Sequence, residues 1–338
     1  MGEKKISSDG KIIRLLDSIP TIGSKTRFDR LYEEALAIEA EDARTSGNIR
    51  FMARALVQAS LPYREPKNNP PAWGRSNGTV SLVIQPGYSM RQIKETVTGK
   101  RGSKTTTTME PVLIGYPYGN IPRLVLAWLA GETLRTKSRE IILGNSVVQF
   151  MAQLGLDSST GGKQGSITRL REQMKRLFSA TIAITRDNTN NEVRWERDGF
   201  QVADSQSFWW DPLHPTQSSL FQSRVVLSER FFNELVEHPV PVDLRALRAL
   251  KQSPMALDIY CWLTYRLSFT RNRTVVPWES LQMQFGSEVA QEWKFRSLFR
   301  RALKQVLVVY PQAKVDPGHT SGFVLLPSPT SIPKISNG

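Results

Sequence analysis

Apolar positions along this chain recur in two rhythms, one every three or four residues and one every second residue. Phe28, Leu31, Tyr32, Ala35, Leu36 and Ile38 fall on one side of a helical projection, with Glu33, Glu34, Glu39 and Glu41 on the other. That pattern predicts an amphipathic helix from Phe28 to Ala43, with Thr26 as its cap. Arg50 to Leu61 is apolar and stops at Pro62, and its spacing suits helix and strand alike. Trp73 to Pro86 reads as a hairpin: Asn77-Gly78 supplies a positive-φ turn, and Val80, Leu82, Val83 and Ile84 are strand formers. Arg91 to Thr108 contains Lys94, Lys100, Arg101, Lys104 and a run of threonines, and is expected to be a basic, flexible surface loop. Residues 1–27 read as a polar lead-in.

Two later segments share one plan. In the first, Asn120-Ile121-Pro122 opens a helix that continues to about Leu134, with the Asn as cap and the Pro in the first turn. Ile141-Ile142-Leu143 is a short strand. Asn145 caps a helix from Ser146 to Leu154, and Ser166 caps another reaching Phe178. Thr181 to Thr185 and Glu192 to Phe200 are two strands of a wing. In the second, a short helix over Asp243 to Lys251 precedes one opened by Ser253-Pro254. Then come a strand at Thr274 to Val276, a helix from Pro277 to Phe285 and a long helix from about Gln291 to Val308. Strands at Ala313 to Val315 and Phe323 to Leu326 close the segment. Helix, strand, helix, helix and a strand pair is the order of a winged-helix unit. The expected fold class is α+β: tandem winged-helix domains over 111–240 and 241–330, an N-terminal mixed extension over 1–110, and a tail at 331–338.

A helix that reads DNA needs one apolar face to hold it and donors opposite. In the helix 166–178, Ile167, Leu170, Met174, Leu177 and Phe178 fall in one arc. Arg169 and Arg176 lie nearly opposite, Thr168, Gln173 and Lys175 flank them, and Arg171 sits nearer the apolar edge. Lys163 and Gln164 in the preceding glycine-rich loop complete the first candidate contact set. In the helix 291–308, Phe295, Leu298, Phe299, Ala302 and Val306 are the apolar arc. Trp293, Ser297, Arg300 and Lys304 lie opposite, flanked by Lys294, Arg296 and Arg301. A solvated cationic face is the plainer reading of either helix, and the repetition of the plan favours DNA contact. Arg169→Ala and Arg300→Ala are each expected to cost about 1–3 kcal/mol of binding if those side chains read bases.

Charge supports this reading. The chain carries a formal net charge of +14, and residues 1–50 hold nine basic and nine acidic side chains, so the whole excess follows Arg50. Such basicity suits a polyanion partner, with counterion release driving association. The single cysteine, Cys261, is set among apolar neighbours and is expected to be an inert core thiol. No apolar run long enough for a signal peptide or a membrane span is visible, so a cytoplasmic protein is expected. Chemistry-bearing clusters are sparse. His214, His238 and His319 are isolated and form no metal pair, which argues against a nicking enzyme with histidine ligands. Gly99-Lys100-Arg101-Gly102-Ser103-Lys104-Thr105 lacks phosphate-loop spacing, as does Gly161-Gly162-Lys163. Trp209-Trp210 beside Phe208 fits interdomain core better than base stacking. No catalytic residue, metal or cofactor is expected.

Several stretches resemble the RepA-type plasmid replication initiator family. They are Phe51-Met52-Ala53-Arg54-Ala55-Leu56-Val57-Gln58-Ala59-Ser60-Leu61-Pro62, Tyr116-Pro117-Tyr118-Gly119-Asn120-Ile121-Pro122-Arg123, Arg135 to Gly144, Gly161 to Gly165, and Ser253-Pro254-Met255-Ala256-Leu257-Asp258-Ile259-Tyr260 continuing to Leu267. One departure is Tyr116, in a turn where a leucine is expected. The resemblance implies a bacterial protein without nuclease or ATPase activity that binds repeated double-stranded sites (iterons) at a replication origin. It also implies opening of adjacent DNA, recruitment of host replication proteins, and dimers that repress their own promoter. A winged-helix transcriptional repressor with no replication role is the alternative, since the DNA-reading surfaces would be the same.

Overall fold

The fold is described from a computed structural model covering residues 27–77, 80–99, 102–158, 165–187, 195–208, 222–286 and 288–332. Helix α1 (Arg27–Ala40) forms as the apolar stripe predicts. The ambiguous stretch after it resolves into both alternatives, a strand β1 (Ile49–Ala53) running directly into a short helix α2 (Arg54–Gln58). The hairpin β2 (Trp73–Ser76) and β3 (Val80–Gln85) is also present, and the Asn77 side-chain oxygen accepts from the Val80 amide at 2.7 Å in its turn.

This N-terminal part is not separate from the rest, which corrects the expected boundary at residue 110. The outer edge of β3 pairs with β7 (Thr181–Asp187), which pairs in turn with β8 (Trp195–Gln201), giving a sheet of order β2-β3-β7-β8. Leu82 stands opposite Ile184 and Ile84 opposite Ile182, all buried. The reason is physical: β3 carries an apolar face, and a lone two-stranded hairpin cannot bury one in water. Likewise β1 pairs with β11 (Pro239–Asp243), with Met52 opposite Val240.

The expected basic loop is instead a long ribbon. Strands β4 (Tyr88–Gly99) and β5 (Gly102–Leu113) are in register from Tyr88–Leu113 to Gly99–Gly102. Threonine is β-branched and favours extended backbone, a signal that the charges obscured. Among the described residues the ribbon pairs with no third strand.

The first repeated segment follows the predicted order with one large elaboration. Helix α3 (Asn120–Thr136) leads to strand β6 (Glu140–Gly144), helix α4 (Val147–Gln153) and helix α5 (Ser166–Ser179). The expected wing then splits across two sheets. Strands β7 and β8 join the N-terminal hairpin, whereas β6 pairs with β10 (Ser223–Leu227), which pairs with β9 (Ala203–Ser207). Only Val202 separates β8 from β9, so one path of chain bends from one sheet into the other. Strands β9 and β10, helix α6 (Glu229–Glu237) and β11 were not anticipated. The expected caps also shift: Ser146 and Gly165 hold the N-cap positions of α4 and α5, neither through a side-chain capping bond. Asn120 lies inside α3 and donates to the Lys251 carbonyl at 2.6 Å.

The second segment matches its pattern closely. Helix α7 (Leu244–Ala249) and helix α8 (Pro254–Leu267) precede strand β12 (Thr274–Pro277), helix α9 (Trp278–Phe285) and helix α10 (Glu292–Val309). Ser253 caps α8, its hydroxyl accepting from the Ala256 amide at 3.3 Å, with Pro254 in the first turn as predicted. Strands β13 (Val315–Asp316) and β14 (Gly322–Leu325) complete a sheet of order β12-β14-β13. One continuous apolar core runs through both segments and takes in Leu31, Leu56 and Leu82 from the N-terminal part. The expected tail at 331–338 begins packed against the fold: Ile332 is buried, and the Ser331 hydroxyl bonds Tyr260 Oη at 2.5 Å.

Candidate nucleic-acid interface

Helix α10 is held by an aromatic cluster. Phe299 packs against Trp278, Phe285, Phe295 and Phe323 with ring centroids 5.4–5.8 Å apart. With Phe295, Ala302, Leu303 and Val306 also buried, one side of the helix is fixed. Lys294, Ser297, Arg301 and Lys304 lie on the outward side, all exposed, at steps of three, four and three residues, which is one helical stripe. Trp293, 69% exposed, stands at its start. The side chains of Lys294, Arg301 and Lys304 make no ion pair or hydrogen bond among the described residues.

Two candidates on this helix have other employment. Arg300 donates from Nε to the Pro317 carbonyl at 3.0 Å, and its guanidinium lies 5.4 Å from the Trp278 ring. Arg296 pairs with Glu292 and lies 5.1 Å from the same ring. Trp278 Nε1 donates to the His319 carbonyl at 3.3 Å, so Arg300 and Trp278 together tie down the turn between β13 and β14. The helical projection places Arg300 opposite the apolar arc because it locates Cβ, whereas a long side chain can fold back along the surface.

Helix α5 shows the same division. Arg169, Arg171 and Lys175 are exposed and unpaired among the described residues, and Thr168 is half-buried. Arg171, placed by the projection near the apolar edge, is out in solvent. Gln173 is buried, its side-chain oxygen accepting from the Tyr118 amide at 2.9 Å, so it is a structural residue. Arg176 pairs with Glu65 at 2.5 Å, donates to the Tyr116 carbonyl at 3.4 Å and lies over the Tyr118 ring. These contacts arise because residues 65 and 115–118 cover that flank of α5, which the helix's own sequence does not reveal. Tyr116 is fully buried and donates to the Pro70 carbonyl at 2.5 Å, so the departure noted in the sequence fills core and not an exposed turn. Lys163 and Gln164 lie outside the described residues, as do Trp209 and Trp210.

A buried joint links the two segments. Arg123 on α3 grips Asp258 on α8 in a bidentate pair of 2.7 and 2.8 Å, with both side chains nearly inaccessible. Its remaining donors reach the carbonyls of Leu61 (2.6 Å), Pro62 (3.2 Å) and Gly119 (2.6 Å), so all five N–H groups are used. Burial alone would lower the Arg123 pKa, but the Asp258 charge and hydrogen bonds raise it above the ordinary value. Nearby Tyr63 and Cys261 have their pKa values pushed up, chiefly by burial.

Among the described residues no group of His, Cys, Asp and Glu gathers as a metal site would require, and no helix is long and apolar enough to cross a membrane. Residues 116–280 match the family model described as plasmid encoded RepA protein. The match covers a little under half of the chain. The matched segment takes in α3 to the first turn of α9, including the α5 surface and the Arg123–Asp258 joint. Among solved structures, the chain is similar to selenomethionine derivatives of domain 2 and domain 3 of RctB, at 12% identity over 72% of this chain and 80% of that one, with a TM-score of 0.45. A second RctB domains 2-3 structure is similar at 12% identity over 79% and 85%, with a TM-score of 0.43. No curated protein matches the chain.

Proposed function

We propose that this protein is a plasmid replication initiator that binds repeated double-stranded sites at an origin through two winged-helix units, without catalysis of its own. The observation that carries the DNA reading is the α10 stripe: Lys294, Ser297, Arg301 and Lys304 on one face, aligned and unpaired among the described residues. Desolvated aromatics hold the helix behind them, so the donors are presented on a rigid element. The order α8, β12, α9, α10, β13, β14, with β14 between the other two strands, supports a winged-helix reading in which the long helix would enter the major groove. Arg169, Arg171 and Lys175 on α5 would occupy a second groove. The replication role rests on the family of residues 116–280. Origin opening, host replication proteins, a homodimer and a cytoplasmic location come with that role as part of the proposal.

Two experiments test it. Arg301→Ala and Lys304→Ala are expected to weaken binding to duplexes that the intact chain selects from random sequences, each lowering the salt slope of log K by about 1. Unchanged affinity and slope in both would remove α10 from the interface. A small plasmid carrying only the gene and its neighbouring repeats should replicate, and failure to do so would leave a repressor in place of an initiator.

A further inference from the structure

Trp293 is the most exposed large apolar side chain among the described residues, at 69%. Its indole makes no hydrogen bond, ring contact or cation–π contact among the described residues. Trp128, Trp262 and Trp278, by contrast, are buried. The backbone that carries Trp293 is pinned on both sides. Before it, the Val289 amide donates to the Gly286 carbonyl at 2.7 Å, and Gln282 Nε2 donates to the Val289 carbonyl at 2.6 Å. After it, Phe295 is fully buried, and its amide donates to the Gln291 carbonyl at 3.0 Å. A side-chain carbon on Gly286 would overlap the Phe295 ring, so the path out of α9 sits directly on the start of α10. A bare indole is thus held out from a fixed point, and tryptophan has only two side-chain torsions left to order on binding.

Its neighbours on α10 say what it would meet. At 100° per residue, Lys304 lies about 20° from Trp293 around the helix, Ser297 about 40° and Arg301 about 80°. Lys304 is about 16 Å further along the axis. The first turn holds one carboxylate, Glu292, which is paired with Arg296. The face is therefore an apolar patch at one end of a row of unpaired cations. A second copy docked by the same face would set those cations against their own kind. Duplex DNA supplies the opposite charge, and in its major groove thymine alone presents a methyl group, the other base edges being marked by donors and acceptors. In a recognition helix the N-terminal residues are the ones that reach base edges.

Resting on the DNA reading above, we infer that Trp293 is a specificity-determining residue that reads thymine by laying its indole against the C5-methyl group in the major groove. Lys294, Arg301 and Lys304 set how tightly any duplex is held, as contacts to phosphates do. Trp293 sets which base is preferred at one position of the site. Its contact is apolar and releases no counterion, so it leaves the salt slope alone.

Uracil lacks only that methyl group and pairs as thymine does, which makes it the probe. Each thymine of a duplex that the intact chain selects from random sequences is replaced singly by uracil, and binding of the intact chain, Trp293→Ala and Trp293→Phe is measured. At one thymine, or two adjacent ones, uracil should weaken the intact chain about three- to fivefold, the effect of one methyl-sized apolar group. Trp293→Ala should bind the thymine duplex less tightly and show no uracil penalty at that position, with salt slope and thermal melting unchanged. Trp293→Phe should keep part of the penalty. Indifference of the intact chain to uracil at every position overturns the proposal. So does a penalty that Trp293→Ala retains in full, which would assign the methyl group to another side chain. An equal loss by Trp293→Ala on every duplex, with altered sedimentation, also overturns it and makes Trp293 a contact between copies of the chain. The DNA reading fails separately, through an intact chain that selects no duplex or through unchanged salt slopes in Arg301→Ala and Lys304→Ala.

Discussion

Replacing Arg123 with methionine removes a buried cation and leaves Asp258 charged in the joint between α3 and α8. Breaking a buried ion pair in this one-sided way costs about 3–5 kcal/mol. The Leu61 carbonyl also loses its short bond and keeps only Arg75 Nη1 at 3.4 Å, whereas the Pro62 carbonyl keeps the Gly119 amide at 3.1 Å; a lost net hydrogen bond costs about 1 kcal/mol. Asp258→Asn keeps the shape and most of the hydrogen bonding, and should cost less, about 1.5–3 kcal/mol. The informative variant is the double Arg123→Met, Asp258→Leu. A simple ion pair replaced by apolar groups of similar volume is often neutral or stabilising. Here the carbonyls stay less well bonded than with the guanidinium, so the double variant should remain about 1 kcal/mol below the natural chain. Urea unfolding followed by circular dichroism and tryptophan fluorescence gives these differences, provided both probes report one transition. A loss below about 1 kcal/mol for Arg123→Met, against the range expected for a buried pair, would refute the account. Full recovery in the double variant would show that the carbonyls do not depend on the guanidinium.

Other outcomes follow from the same structure. Arg300→Ala should lower DNA affinity while leaving the salt slope unchanged, and should speed hydrogen exchange in residues 317–321, because it frees a turn and removes no phosphate contact; a slope change like that of Lys304→Ala would make Arg300 a direct contact. Burial raises the pKa values of Tyr63, Tyr260 and Tyr310. Above about pH 10 the unfolded chain loses these protons while the folded chain keeps them, so stability should fall as pH rises through that window, and flat urea midpoints from pH 8 to 11 would contradict this. Cys261, also raised by burial, should resist thiol reagents at neutral pH and react at the rate of unfolding.

The second segment was legible because its signals are local. Ser253-Pro254 capped α8, the apolar arc of α10 faced inward, and β12 to β14 formed where β-branched residues clustered. The first segment was not, because its sheets are built from distant partners. Nothing within Val80–Gln85 announces that its other edge will meet Thr181–Asp187 across roughly a hundred residues. The ribbon was missed for another reason: lysines and glycines suggested a loop, whereas consecutive threonines favour extended backbone. At the candidate interface, helical spacing separated inward from outward residues well enough to expose Lys294, Ser297, Arg301 and Lys304. It failed for Arg300, Arg176 and Gln173, whose side chains meet the wing turn or residues 65 and 115–118.

The pairing of β3 with β7 bears on how this protein can be taken apart. The segment that matches the family model starts after the ribbon and stops inside α9. A fragment cut to those limits would leave β7 as an open edge beside Ile182 and Ile184, and would strip Phe299 and Phe323 from Trp278. Bare strand edges and uncovered aromatics of this kind invite aggregation. Block exchange between relatives would therefore sever shared structure wherever the junctions were placed within 49–325. Binding preference would have to be transplanted one exposed side chain at a time, on the outward stripes of α5 and α10.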